Sequence, residues 1–137
     1  ETCAGCALQP DTSSAFMGTY RETTYHPESV LHGTPTTPSH LNIVFCLSGT
    51  AIYVYFILAN YGYIPEITVN TNCNFILDGV LTEQPFNHDP KGPTAVQFEY
   101  HRLVFARSNL SNIHHVLEIR VEGFDFSSYI NFDYAVY

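Results

Sequence analysis

Leu41-Asn42-Ile43-Val44-Phe45-Cys46-Leu47-Ser48-Gly49-Thr50-Ala51-Ile52-Tyr53-Val54-Tyr55-Phe56-Ile57-Leu58 is the stretch that decides the fold class. Both halves are rich in β-branched and aromatic side chains, and each has the length of a strand. Ser48-Gly49 between them carries turn chemistry, so a hairpin is expected. Near-continuous apolarity predicts two central strands covered on both faces. A helix over 51–59 is the competing assignment; the Val, Ile and Tyr content and the flanking turns weigh against it.

Outward from this stretch the chain keeps the same character. Gly18–Tyr25 reads as one short strand, Ile67–Asn70 and Asn74–Leu77 as two more. Asp78-Gly79 is the strongest local hairpin signal and leads into Val80-Leu81-Thr82. Residues 83–95, with three prolines, read as a stiff loop. Val96, Phe98, Tyr100 and Arg102 then alternate with polar residues, as do Ile113–Val121, and Tyr129–Val136 closes the chain. Frequent turns and the absence of a convincing helix predict an all-β, antiparallel β-sandwich with jelly-roll-like connections, a closed barrel being second. With 137 residues, a single domain spanning 1–137 is expected, its first 40 residues irregular and rich in Pro and Thr.

Charge and composition exclude several function classes. The formal net charge is −8, with only five Lys and Arg, which disfavours nucleic acid and acidic membranes as partners. The longest apolar run, Ala51–Ala59, is about half the length of a bilayer-spanning helix, so no membrane insertion is expected. Charged residues are 13% of the chain, about half the usual share, as in neutral extracellular surfaces. Opening on Glu1-Thr2-Cys3, the chain reads as a processed, secreted one.

Four cysteines, Cys3, Cys6, Cys46 and Cys73, admit three disulfide pairings. The 26 residues between Cys46 and Cys73 are the wrong spacing for a zinc ribbon or finger, and Cys3-Ala4-Gly5-Cys6 lacks the strand-to-helix setting of a redox motif. Structural disulfides are therefore expected, with Cys3 and Cys6 each reaching one of Cys46 and Cys73 and clamping the first third onto the sheet. Asn109-Leu110-Ser111 is a glycosylation sequon that fits the same compartment.

Catalytic signatures are missing: there is no Gly-x-Ser-x-Gly, no His-Glu-x-x-His and no glycine-rich phosphate loop. Seven histidines lie at uneven spacing, and adjacent His114 and His115 face opposite sides of a strand, so neither a metal site nor a cofactor is expected. The chain reads as non-catalytic. Ten Tyr and ten Phe exceed what a core of this size needs. Tyr20, Tyr25, Tyr61 and Tyr63, with His88 in the proline-rich loop, form the candidate binding surface, because exposed tyrosine offers rigid contact area with a polar tip.

Several motifs act as a set: Cys3-x-x-Cys6-x-x-x-Pro10-Asp11, Gly18-Thr19-Tyr20, Ser48–Tyr55 with Ile57-Leu58-Ala59-Asn60, Phe75–Gly79, Ser108–Asn112 with His114 or His115, and Phe132-Asp133-Tyr134. Together they resemble a group of secreted or surface-anchored proteins of basidiomycete fungi, whose ectodomain resembles a galactose-binding-like jelly roll. The resemblance implies one of two functions. One is an accessory subunit that stabilises a larger secreted enzyme, similar to the small non-catalytic subunit of heterodimeric fungal laccase. The other is a carbohydrate-binding, lectin-like module. Lacking His-x-His copper motifs, the chain would be the partner of a laccase, not its catalytic part.

Overall fold

A strand buried on both faces needs cover on both, and β3 (Ile52–Ala59) has it. The computed structural model describes residues 6–27, 40–64 and 66–137. Among these, β1 (Arg21–Tyr25), β9 (Ser128–Val136), β3 and β7 (Phe98–Arg107) form a four-stranded sheet in the order β1-β9-β3-β7. The second sheet runs β2 (His40–Gly49), β8 (Ile113–Glu122), β4 (Thr71–Leu77), β5 (Val80–Leu81), with β6 (Phe86–His88) also paired to β4. All pairings are antiparallel. The fold is an all-β sandwich whose strand order is compatible with jelly-roll-like connections.

The main core lies between the sheets. Ile52, Val54, Phe56 and Leu58 of β3 meet Phe75 and Leu77 of β4 and Leu117, Ile119 and Val121 of β8. Phe75 stacks on Phe105 at 4.6 Å. On the other side of β3, Ile57 is covered by Ala15 and Tyr20, and Ala59 joins Leu8 and Tyr129. The N-terminal segment thus forms a strap over the outer face of the four-stranded sheet. Two short 3₁₀ turns, Thr12–Ser14 and Phe16–Gly18, shape it, the first capped by the Asp11 carboxylate.

The expected hairpin between the first two long strands does not form. β2 and β3 belong to opposite sheets, and the chain crosses between them after Gly49. The edges explain this: β2 spends one edge on ten consecutive pairs with β8, while both edges of β3 are taken by β7 and β9. Thr50 accepts a hydrogen bond from Leu110 N at 2.9 Å, which fixes the crossing. Nor is β2 covered on both faces; it lies at the sheet edge and exposes Asn42, Val44, Cys46 and Ser48 on one side. By contrast, Asp78 and Gly79 take φ of 52° and 80° and join β4 to β5 in the tight turn expected of them. Residues 67–70 are not a strand; Ile67 and Val69 instead pack onto the outer-face cluster of Leu8, Ala59 and Tyr129. The proline-rich loop contains β6, too short to stand out from its prolines.

The disulfide staples to the sheet are also absent. Cys46 and Cys73 are free thiols, so neither receives Cys6, which is itself disulfide-bonded. Cys3 lies outside the described residues. Geometry gives the reason: Cys46 faces outward on an edge strand, whereas Cys73 is enclosed in the core. One terminal segment cannot reach both sides of a sheet. Burial pushes the Cys73 thiol up to about 12, which makes it unreactive. Thiol labelling without reductant is expected to modify Cys46 in the native state and Cys73 only after denaturation. Protection of Cys46 in the native chain would restore the staple.

Candidate functional site

The tyrosines singled out from the sequence divide. Tyr20 and Tyr25 are buried, and their hydroxyls donate to Pro10 O at 3.4 Å and Phe124 O at 3.2 Å. His88 is likewise buried, its Nε2 donating to Ala59 O at 3.2 Å. These three tie the strap and loops to the sandwich and present no surface. Tyr61 and Tyr63 do form a surface pair, edge to face at 5.7 Å, with Tyr63 78% exposed. Gly62 between them is required, since a Cβ there would lie 2.1 Å from Ile67 Cγ2. Asn109 is exposed, with φ of 60°.

A more elaborate surface lies on the outer face of the four-stranded sheet. The register of β3 slips against β9 between Tyr55 and Phe56, and against β7 on both sides of the same two residues. Such bulges re-aim side chains. Asp133 is the extra residue of β9, lying between Phe132, opposite Phe56, and Tyr134, opposite Tyr55. On β7, His101 adopts φ of 53° within its bulge. Asp133 Oδ1 accepts the Phe16 backbone N–H at 2.8 Å, and Oδ2 lies 3.2 Å from His101 Nδ1. One buried carboxylate thereby fixes the tip of the strap through Oδ1, while Oδ2 faces the imidazole without a hydrogen bond to it.

Around this clamp the aromatic rings line up. Tyr134 stacks against Tyr55 at 4.5 Å and 10°, and against Phe16 at 4.4 Å and 28°. Two near-parallel rings at these distances cannot share one face of a third, so both faces of Tyr134 are occupied. His101 approaches it edge-on at 5.8 Å. Phe16 is 46% exposed, and next to it Met17 is 84% exposed at φ 52°, ψ 23°. A left-handed, non-glycine residue costs roughly 1–2 kcal/mol. Here that strain holds an apolar side chain in solvent. Leu103 and Val136, opposite Tyr55 and Tyr53 in the register, extend the exposed apolar face.

Two further polar clusters are structural. His115 Nδ1 lies 2.7 Å from Asp78 Oδ2 and its Nε2 2.8 Å from Ser111 O. Both nitrogens face acceptors, which favours the protonated ring, and the Asp78 carboxylate and then the Ser111 carbonyl raise its pKa. Asn60, 1% exposed, donates to Val96 O and Glu99 Oε1 and accepts from Lys91 N. Hydrogen bonds from Asn60 and then Lys91 hold the Glu99 carboxyl at about 2.

Sequence reasoning missed Phe16, Tyr55, His101 and Tyr134. The available signal was Tyr53 and Tyr55 alternating with Val54 and Phe56 on a strand otherwise apolar. Among the described residues no three of His, Cys, Asp and Glu gather as a metal site, and no helix is long and apolar enough to cross a membrane. No protein-family model matches the chain, and no curated protein matches it in sequence.

Proposed function

We propose that this chain is a secreted, non-catalytic accessory module that associates with and stabilises a larger secreted protein through the outer face of its four-stranded sheet. The observation that carries the reading is the Phe16–Met17 tip, apolar, exposed and fixed from beneath by Asp133. Anchored apolar side chains are what protein interfaces use as hot spots, since little freedom remains to be lost on docking. The ring stack supports the same choice. Sugar stacking needs an open ring face, whereas Tyr134 has both faces covered and offers an edge and a hydroxyl. The resemblance to basidiomycete proteins with a galactose-binding-like jelly roll makes a laccase-type catalytic chain the first partner to test. Exposed Asn109 suits glycosylation in that compartment.

Native purification is expected to co-elute a larger secreted enzyme at fixed stoichiometry. Phe16→Ser with Met17→Ser should weaken that association at least about a hundredfold, two hot-spot truncations being worth more than about 3 kcal/mol. Neither residue belongs to the core between the sheets, so the far-ultraviolet circular dichroism should keep its β signature, while the near-ultraviolet signal loses the Phe16–Tyr134 stack. A wild-type chain that runs as a monomer at micromolar concentration beside its source secretome removes the reading.

A carbohydrate-binding module is the second reading, and the open ring of Tyr63 favours it. In that case a glycan array shows saturable binding that Tyr63→Ala abolishes and the Phe16/Met17 change does not.

A further inference from the structure

Edge strands present a row of N–H and C=O groups, and folded proteins blunt them with charges, prolines, bulges or brevity. Three of the four edges here follow that rule. β1 has five residues and carries Arg21 and Glu22, while β5 and β6 have two and three residues. β7 carries Glu99, Arg102 and Arg107, its register slips twice, and His101 takes φ of 53°. β2 is different: its ten residues run in unbroken register with β8 and include no Asp, Glu, Lys, Arg or Pro. Among the described residues, no strand pairs with the edge of residues 41–48 that faces away from β8.

The inward side chains of β2 point to a missing neighbour as well. Leu41, Ile43 and Phe45 pack on the core yet stay partly exposed. Their partners on the same rungs of β8, Val121, Ile119 and Leu117, have no solvent exposure. The rungs are shared, so the difference lies on the far side of each strand, where β8 has β4 and β2 has no described strand. One added strand would satisfy the edge and cover this apolar row together.

A second copy of the chain fits that place. Antiparallel pairing about a two-fold axis at Val44 sets Leu41 against Leu47 of the second copy, and Ile43 against its Phe45. Every inward apolar residue then meets another. On the outward side Val44 meets Val44, and Asn42 meets Cys46. A centre one residue later would put Leu41 against Gly49 and lose the match. Two chains of net charge −8 repel each other, and an uncharged strand is the edge where that repulsion is least. We infer that the chain forms a two-fold dimer by β2–β2 strand pairing. The contact lies in the five-stranded sheet, so each copy keeps its aromatic face, and the dimer does not depend on the role proposed for that face. Pairing uses the backbone edge, which leaves the outward Cys46 thiol open to solvent.

Sedimentation equilibrium of the intact chain from about 1 to about 100 µM tests this, a range that suits a small interface. A monomer–dimer equilibrium is expected, tightening as added salt screens the net charge. Val44→Lys sets two like charges face to face at the axis and should weaken the dimer about tenfold or more. Within one chain position 44 is opposite Glu118 and Val44 is 58% exposed, so the monomer should keep its fold, as circular dichroism checks. Asn42→Cys reads the register independently. Mild oxidation should join the new thiol to Cys46 of the second copy and give a covalent dimer. Wild type should not cross-link in this way, because its two Cys46 residues are separated by four residues along the paired strands, about 13 Å or more and too far for a disulfide. A chain that stays monomeric at about 100 µM overturns the inference. So does a dimer that Val44→Lys leaves unweakened, or one in which Asn42→Cys cross-links no more readily than wild type.

Discussion

Phe56→Ala is expected to lower the unfolding free energy by about 3–5 kcal/mol, the usual cost of emptying a fully buried aromatic site. Phe56 has no solvent exposure and meets Phe86 and Phe132 edge-on at 6.4 and 6.5 Å. Phe86 belongs to β6 beside the five-stranded sheet and Phe132 to β9 of the other, so one ring joins both layers. Phe132 continues the contact to Phe45 of β2 at 4.9 Å. The resulting cavity cannot collapse easily, because Phe56 lies where β3 slips in register against both neighbours. Urea unfolding followed by tyrosine fluorescence, the chain having no Trp, measures the change. With a slope of roughly 1–3 kcal/mol/M the midpoint should fall by about 2 M. Phe56→Leu should retain most of the stability. A loss below about 1 kcal/mol for the alanine would mean that the layers do not meet across this ring. The same substitution should loosen the Tyr55–Tyr134 stack, because Phe56 is paired with Phe132 directly beside the β9 bulge that sets Tyr134 opposite Tyr55.

The strands were legible in the sequence because their composition is local. Ile52–Leu58 is apolar because both faces of β3 are covered, and Asp78-Gly79 supplies the positive φ values that its turn requires. The path between strands was not local. Ser48-Gly49 announces a change of direction, but the same residues serve a hairpin or a crossing to the opposite sheet. Which one forms depends on free edges far away in sequence, those of β7, β8 and β9. The candidate site was hidden for a related reason. Alternation along β9 would place Asp133 and Tyr134 on opposite faces, and the bulge breaks that parity. Tyr20 and Tyr25, conspicuous in a loop-rich segment, turned inward because the segment is itself a cover over the sheet and its ends. Cys46 and Cys73 mislead in the same way: sequence gives their separation, and only the sheet tells that one thiol faces out and the other in.

Asn60→Leu should cost about 2–4 kcal/mol although leucine fits the volume, because the side chain satisfies three partners at once. Nδ2 donates to Val96 O at 2.9 Å and Glu99 Oε1 at 3.0 Å, while Oδ1 accepts Lys91 N at 3.1 Å. Its backbone adds bonds to Gln97 O and from Gly92 N. One residue at the end of β3 therefore closes the loop leading into β7, next to Tyr61, whose carbonyl accepts Gln97 Nε2. Leucine leaves the Lys91 N–H and Val96 carbonyl without their side-chain partner. The pH dependence separates this cause from simple loss of packing. Glu99 is held at about 2, below its ordinary value of 4.5, so its contribution is complete above about pH 4.5 and is lost as pH falls toward 2. Removing Asn60 removes the largest cause of that lowering, so the Glu99 carboxyl should titrate closer to its ordinary value in the variant. The stability gap between wild type and Asn60→Leu should then be widest above pH 5 and narrow in acid. A gap that stays constant from pH 7 to pH 3 would assign the loss to packing and to the unpaired Lys91 N–H and Val96 carbonyl, and Glu99 would owe its depression to Lys91 and Arg102 rather than to the buried amide.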